Sequence, residues 1–166
     1  SQGRYDIAEQ MLNKARKARE KALGREDMAT LETISLFALV QKDQGRWKEA
    51  ESLFMQVMET RKRVLGEEHP STLTSMANQA STYRNQGRWK EAESLEVQVM
   101  ETRKRVLGEE HPDTLTSMNN LAFTWEYQGH HSNALALMKG CAEARRRVLG
   151  EEHPHTLSSL TTVAVF

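Results

Sequence analysis

The residues best suited to chemistry recur in this chain. "EEHP" stands at Glu67–Pro70, Glu109–Pro112 and Glu151–Pro154, each time directly after "RVLG". Two carboxylates beside an imidazole are the makings of a metal site or of a general acid–base pair. His130, His131, His155 and the single Cys141 complete the reactive set. Catalysis or metal binding requires such groups to converge, and their spacing argues against it. The three copies lie 42 residues apart. If each sits on its own helix pair, neighbouring copies are on the order of 10 Å apart or more. Metal ligands must approach one centre within about 2.0–2.3 Å. A single joint supplies too few of them. Glu-Glu-His therefore reads as a structural joint. His130, His131, His153 and His155 read as helix-end caps or exposed groups. Cys141 stands at the position of Val57 and Val99 and reads as a small core residue rather than a nucleophile. No P-loop, dinucleotide fingerprint or nucleophile elbow is present. No catalytic residue, cofactor site or metal ligand is assigned, and the chain reads as a non-enzyme.

The elements around the joint explain why it recurs. In "PSTLTSMANQASTYRNQ" the apolar residues Leu73, Met76, Ala80 and Tyr83 step by three and four, which places them on one helical face. Pro70 suits the first helical position, and His69, Ser71 or Thr72 can cap the free amides. Gly87 ends this helix. A second helix follows, with a stripe of Ala92, Leu95, Val99, Arg103 and Val106, the arginine covered through its stem. Glu59–Arg63 and Glu101–Arg105 are spaced to pair along their own helices. Gly108 closes the second helix, and "EEHP" starts the next. "QGRWKEAESL" at Gln44 and Gln86, with echoes at Gln2 and Gln128, keeps the same 42-residue period. The chain is thus one helix-pair unit used about four times. Helices are expected over about 4–23, 28–43, 46–65, 70–86, 88–107, 112–128, 131–149 and 154–165, with joints near 24–27, 66–69, 108–111 and 150–153. The whole of 1–166 reads as a single array, and because it opens inside a repeat, a segment of a longer protein is expected.

Composition narrows the function. The 166 residues carry 23 basic and 23 acidic side chains, so no overall field recruits nucleic acid or an anionic membrane. No apolar run is long enough to span a bilayer and no signal peptide is seen. With one cysteine, this fits a reducing, cytoplasmic setting. Two positions break the repeat. Gln79 replaces the Phe37, Leu121 and Val163 of the other copies, and Glu96 replaces Phe54 and Met138. Either the two share a hydrogen bond in the core, or Glu96 turns to solvent; the second is favoured. Val163, Val165 and Phe166 have little chain after them to cover them, and Trp47 and Trp89 are expected to pack against a neighbouring repeat.

The unit resembles a tetratricopeptide repeat (TPR). Ala80, Tyr83 and Ala92 match its small, aromatic and alanine positions, as do Ala122, Trp125 and Ala134; in the first copy Ala38 and Ala50 match, but Gln41 replaces the aromatic. The 42-residue length, "GEEHP-x-TL" and "QGR[WY]-x-EAE" are similar to the kinesin-light-chain type, and the near-verbatim copies are similar to the arrays of fungal NLR-like (STAND) proteins. This resemblance implies an all-α, right-handed superhelical solenoid of antiparallel helix pairs. It also implies a protein or peptide partner in a groove lined by the first helices. Carried over by position, that groove holds Ser35, Leu39, Lys42, Thr74, Asn78, Ser81, Arg84 and Asn85, then Thr116, Asn119, Asn120, Phe123, Glu126 and Tyr127. Phe123 and Tyr127, one turn apart, are expected to form an aromatic anchor. The clamp positions of family members that grip acidic tails hold Ser35, Leu39, Ala77, Ser81, Asn119 and Phe123 here, which is no carboxylate clamp. The expected function is the ligand-sensing array of an NLR-like protein, with a kinesin-light-chain-like cargo adaptor or a self-association array, joined through exposed terminal helices, as alternatives.

Overall fold

The computed structural model describes residues 2–165, with side chains described over 5–165. Among these the chain forms eight α-helices and no strand: α1 (Gln2–Leu23), α2 (Met28–Asp43), α3 (Trp47–Leu65), α4 (Pro70–Asn85), α5 (Trp89–Leu107), α6 (Pro112–Tyr127), α7 (His131–Leu149) and α8 (Pro154–Val165). Each expected helix is present within two residues of its expected ends.

Two kinds of turn alternate between the helices, and both are written in the repeated words. At "EEHP" the histidine is the cap. His69 Nδ1 accepts from the Ser71 amide at 3.1 Å, His111 Nδ1 from the Asp113 amide at 3.1 Å, and His153 Nδ1 from the His155 amide at 3.2 Å. The glutamates are spent on the neighbouring basic ends. Glu109 pairs with Lys104 at 3.3 Å, Glu110 with Arg147 at 2.8 Å, and Glu151 with Arg146. Arg63, expected to pair with Glu59 on its own helix, instead reaches Glu26 across the repeat. At "QGR" the turn is a Schellman motif. The Arg46 amide donates to the Gln41 carbonyl at 2.9 Å and the Gly45 amide to the Lys42 carbonyl at 3.0 Å; His130 and Gly129 repeat this on Trp125 and Glu126. The geometry needs a left-handed residue, and Gly45 and Gly129 supply it at φ +80 and +83.

The chain divides into two compact units, Ser1–Gln86 and Gly87–Phe166. In the first, α2 meets α3 through two small apolar clusters: Leu31, Ile34 and Val57 with Leu53, and Ala38, Ala50 and Phe54 with Leu39 and Leu53. In the second, Leu115, Cys141 and Ala144 pack with Met118. Cys141 is a core residue, and burial pushes its thiol above its ordinary range.

Between these clusters runs a polar feature that the sequence understated. Arg61, Arg103 and Arg145 are buried to the guanidinium rather than merely covered along the stem. Arg61 donates to Ser75 Oγ at 2.9 Å and the Ser71 carbonyl at 3.3 Å. Arg103 does the same with Ser117 at 2.9 Å and Asp113, and Arg145 with Ser159 at 2.6 Å and His155. In the first, degenerate copy Arg19 donates to Thr33 Oγ1 at 2.5 Å and the Ala29 carbonyl at 3.0 Å. Burial pulls the guanidinium of Arg61 and of Arg103 below its ordinary pKa, opposed by Glu32 and Asp113 respectively. Val106, placed on the buried stripe by sequence, is instead 46% exposed, and Met100 is buried.

A second lock joins each second helix to the next first helix. Glu93 accepts from Trp125 Nε1 at 2.7 Å and Gln128 Nε2 at 3.0 Å. Glu51 accepts from Gln86 Nε2 at 2.7 Å, and Glu9 from Gln41 Nε2 at 2.9 Å and Arg46 at 2.7 Å. Gln41, which departs from the aromatic pattern, thus keeps the donor that Trp125 provides. Glu96 does not turn to solvent. It is 4% exposed and accepts from Thr124 Oγ1 at 2.5 Å. Gln79 is fully buried, and neither polar atom of its amide has a hydrogen-bond partner among the described residues. Trp89 stacks on Tyr127 of the following helix, centroids 4.8 Å apart and planes 6° from parallel, as expected of its position; Trp47 is 39% exposed. Val165 is exposed, and Phe166 lies outside the described residues.

Three outcomes follow from these locks. Ser117→Ala strips a hydroxyl from a buried cation and costs about 2 kcal/mol, whereas Arg103→Met, which keeps the stem and removes the charge, stays within about 1 kcal/mol of the parent; urea unfolding measures both. Thr124→Val takes a donor from the buried Glu96 carboxylate and costs about 2 kcal/mol. Adding Glu96→Met restores most of the loss, because methionine already fills this place at Met138; a double-mutant cycle reads the coupling. Finally, hydrogen bonds from Gln41 above all, and from Arg46, hold Glu9 below its usual 4.5. A depressed folded pKa means the stabilisation is present above about 4.5 and is lost as pH falls through the lower folded value. Amide exchange in α1 accelerates over that acid range, and Glu9→Gln flattens the response.

Candidate functional site

In the first unit, α2 and α4 enclose a hollow of about 310 Å³. Glu32, Ser35, Leu36 and Leu39 come from α2, and Pro70, Ser71, Thr74 and Asn78 from α4. Their spacing of three and four residues puts each set on one helical face. Arg61 of α3 reaches the same hollow from below. Its guanidinium is fixed by Ser75 and Ser71 and lies 3.4 Å from Glu32, whose carboxylate is largely exposed. Leu36 is 45% exposed and forms an apolar wall. Asn78 is half-buried, and an amide there offers both donor and acceptor. Thr74 is exposed, but its hydroxyl is spent on the Pro70 carbonyl at 3.0 Å, as that of Ser35 is on Leu31 at 2.9 Å.

Of the residues placed in the groove by sequence, the structure brings Ser35, Leu39, Thr74 and Asn78 into this one hollow. Lys42 and Ser81 meet each other, Nζ donating to Oγ at 3.3 Å, and so tie α2 to α4. Arg84 is half-buried and Asn85 exposed near the end of α4. In the second unit Thr116 is exposed, and Asn119, Asn120 and Phe123 are half-buried on α6. Glu126 lies 2.7 Å from His131 Nδ1. The Tyr127 ring is 71% exposed and is stacked on Trp89, so its aromatic partner is that indole. Sequence reasoning missed Leu36, Arg61, Pro70 and Ser71. The signal for Arg61 was available: it is the first arginine of the repeated "RKRVLG", on the buried stripe.

The chemistry offered is recognition through a fixed cation, an amide and a leucine. Among the described residues no three His, Cys, Asp or Glu side chains converge on a point that could hold a metal ion. The His153 and His155 rings are 5.3 Å apart, and His153 Nδ1 is already committed as a cap. No helix among the described residues is long and apolar enough to cross a membrane.

Comparison with known proteins agrees with this architecture. A tetratricopeptide repeat model matches residues 1–62 and 30–105, and a second tetratricopeptide repeat model matches 114–155. No match is found among curated proteins. Two solved structures from Podospora anserina, described as kinesin light chain with nearly identical TPR-like repeats, are each 29% identical to this chain and cover 99% of it. One of them, a form with a single substitution, superposes at a TM-score of 0.85 over 77% of its own length, and the other at 0.84 over 78%. The structure of BtubC (BKLC) from P. vanneervenii is 20% identical, covers 97% of this chain and 63% of its own length, and has a TM-score of 0.77, a likeness of fold. The period, the paired helices, the Ala38–Ala50 and Ala122–Ala134 positions and these matches agree: the chain belongs to the tetratricopeptide repeat family and has its all-α solenoid fold, that of a protein-interaction module.

Proposed function

We propose that this chain is a non-enzymatic adaptor whose α2–α4 hollow receives an extended peptide segment of a protein partner. The observation that carries the reading is the juxtaposition of exposed Leu36, half-buried Asn78 and the buried Arg61 guanidinium around one opening. Leucine takes an apolar side chain, the asparagine amide pairs with peptide backbone, and the guanidinium orients an acceptor. Lys42, Ser81, Arg84 and Asn85 extend this surface along the first unit. Thr116, Asn119, Asn120, Phe123, Glu126 and Tyr127 form the candidate surface of the second. The likeness to kinesin-light-chain structures supports a cargo or scaffold adaptor working in the cytoplasm. The near-identical repeats of the fungal neighbours support a second reading, the ligand-sensing array of an NLR-like protein. A P-loop encoded upstream of Ser1 is expected on the second reading, and a heptad coiled coil on the first.

Selection from a random linear peptide library tests the site. Peptides enriched on the parent chain are expected to lose about tenfold or more in affinity, equal to about 1.4 kcal/mol, on Asn78→Trp, which fills the hollow. Equal binding to both proteins would remove the hollow from consideration.

A further inference from the structure

The "QGRWKEAESL" turn occurs twice with the same tryptophan and the same glutamate, and only one copy has them covered. In the second unit the Trp89 indole lies flat against Tyr127, and the Arg88 guanidinium clasps both carboxylate oxygens of Glu91. A ring covers the indole and a guanidinium covers the acid. The first unit carries Trp47 and Glu49 at the matching positions, without either cover. Asn85 stands where the second unit has Tyr127. Arg46 stands where it has Arg88, yet this guanidinium is drawn away to Glu9 at 2.7 Å and Gln41 at 3.0 Å. Trp47 is left 39% exposed with no ring against it among the described residues. The Glu49 carboxylate is exposed and makes no hydrogen bond or ion pair among them. Both border one open hollow of about 460 Å³, with Gly45, Lys48 and Gln86. It lies at the start of α3 and just past the end of α4, whereas the α2–α4 hollow takes its α4 residues from Pro70 to Asn78.

We propose that the Trp47–Glu49 hollow is a second docking site, which takes an arginine side chain of a protein partner. The surface has two parts, a flat apolar face and an anion beside it, and one guanidinium meets both. It is planar, it stacks on an indole, and it pairs with a carboxylate through two parallel N–H donors. A lysine ammonium brings a point charge and no flat face. Lys48 at the rim does not forbid a cation. Its counterpart Lys90 borders the matching hollow of the second unit, where the Arg88 guanidinium sits on Glu91 nonetheless. The chain itself therefore displays, at Glu91, the carboxylate–guanidinium pairing that Glu49 lacks.

A displayed heptapeptide library with arginine fixed at its centre tests this. The library is first depleted on the Glu49→Gln chain, which loses the charge and keeps the shape, and is then selected on the parent chain. Peptides that bind the α2–α4 hollow are removed by the depletion, because Glu49→Gln leaves that hollow intact. Peptides are expected to survive it, and to lose about tenfold in affinity on Trp47→Ala. Replacing their central arginine by lysine is expected to cost about fivefold, since the ammonium pairs without stacking. Trp47 and Glu49 are exposed, so the helical content of each variant should match the parent by circular dichroism. A library that leaves no binder after depletion overturns the proposal. So do survivors that bind Trp47→Ala as tightly as the parent, or that accept lysine at no cost.

Discussion

A guanidinium withdrawn from water is the interaction on which each joint depends. Arg61, Arg103 and Arg145 lie in the interior beside a serine fourteen residues on; Arg19, which is exposed, makes the same bond to Thr33 at the surface. A buried charge is costly unless its donors are met. The hydroxyl and a carbonyl in the first turn of the following helix meet them, the carbonyl also accepting from that hydroxyl in the cases of Ser75 and Ser117. Since serine and carbonyl belong to that helix, the arginine fixes where the helix starts relative to the one before it. The histidine cap and the left-handed glycine turns shape the chain at the reversals. The arginine decides how the two helices cross once the reversal is made. Apolar clusters of three residues, such as Leu31, Ile34 and Val57, are small, and a polar lock beside them supplies direction that dispersion forces do not.

Helices, joints and the core alanines were legible in the sequence because glycine, proline and histidine mark the turns, and the period repeats them. The fate of Arg103 was half legible. Its place on the apolar stripe announced burial, but only the distance to Ser117 shows that the charge itself goes in. Glu96 was misjudged for a related reason. A carboxylate in an apolar position suggests a helix rotated outward, and the hydroxyl of Thr124 that donates to it comes from another helix, 28 residues away, which local periodicity cannot reveal. Of the candidate groove, the α2 and α4 positions came from the family resemblance, carried over by position. The reach of Arg61 into the hollow and the capture of Tyr127 by Trp89 depend on packing between helices and were not legible.

The histidine at each joint illustrates how a reactive residue type becomes architectural. Its Nδ1 accepts the amide of the first turn, and one of the preceding glutamates is held by a basic residue of its own helix end or of the next repeat, as Glu110 is by Arg147. At the second joint the trio that opened as a possible catalytic group is divided among three separate obligations: Glu109 on Lys104, Glu110 on Arg147 and His111 on the Asp113 amide.

The carboxylates of Glu9 and Glu93 carry a lesson for how such repeats are detected. One is held by the amide of Gln41, the other by the indole of Trp125, at the same point of the fold. What that position must provide is a proton to share, and ring character is incidental to it. A profile that expects a flat side chain there has to admit the primary amide as well, and the copy carrying Gln41 does lie inside a matched stretch.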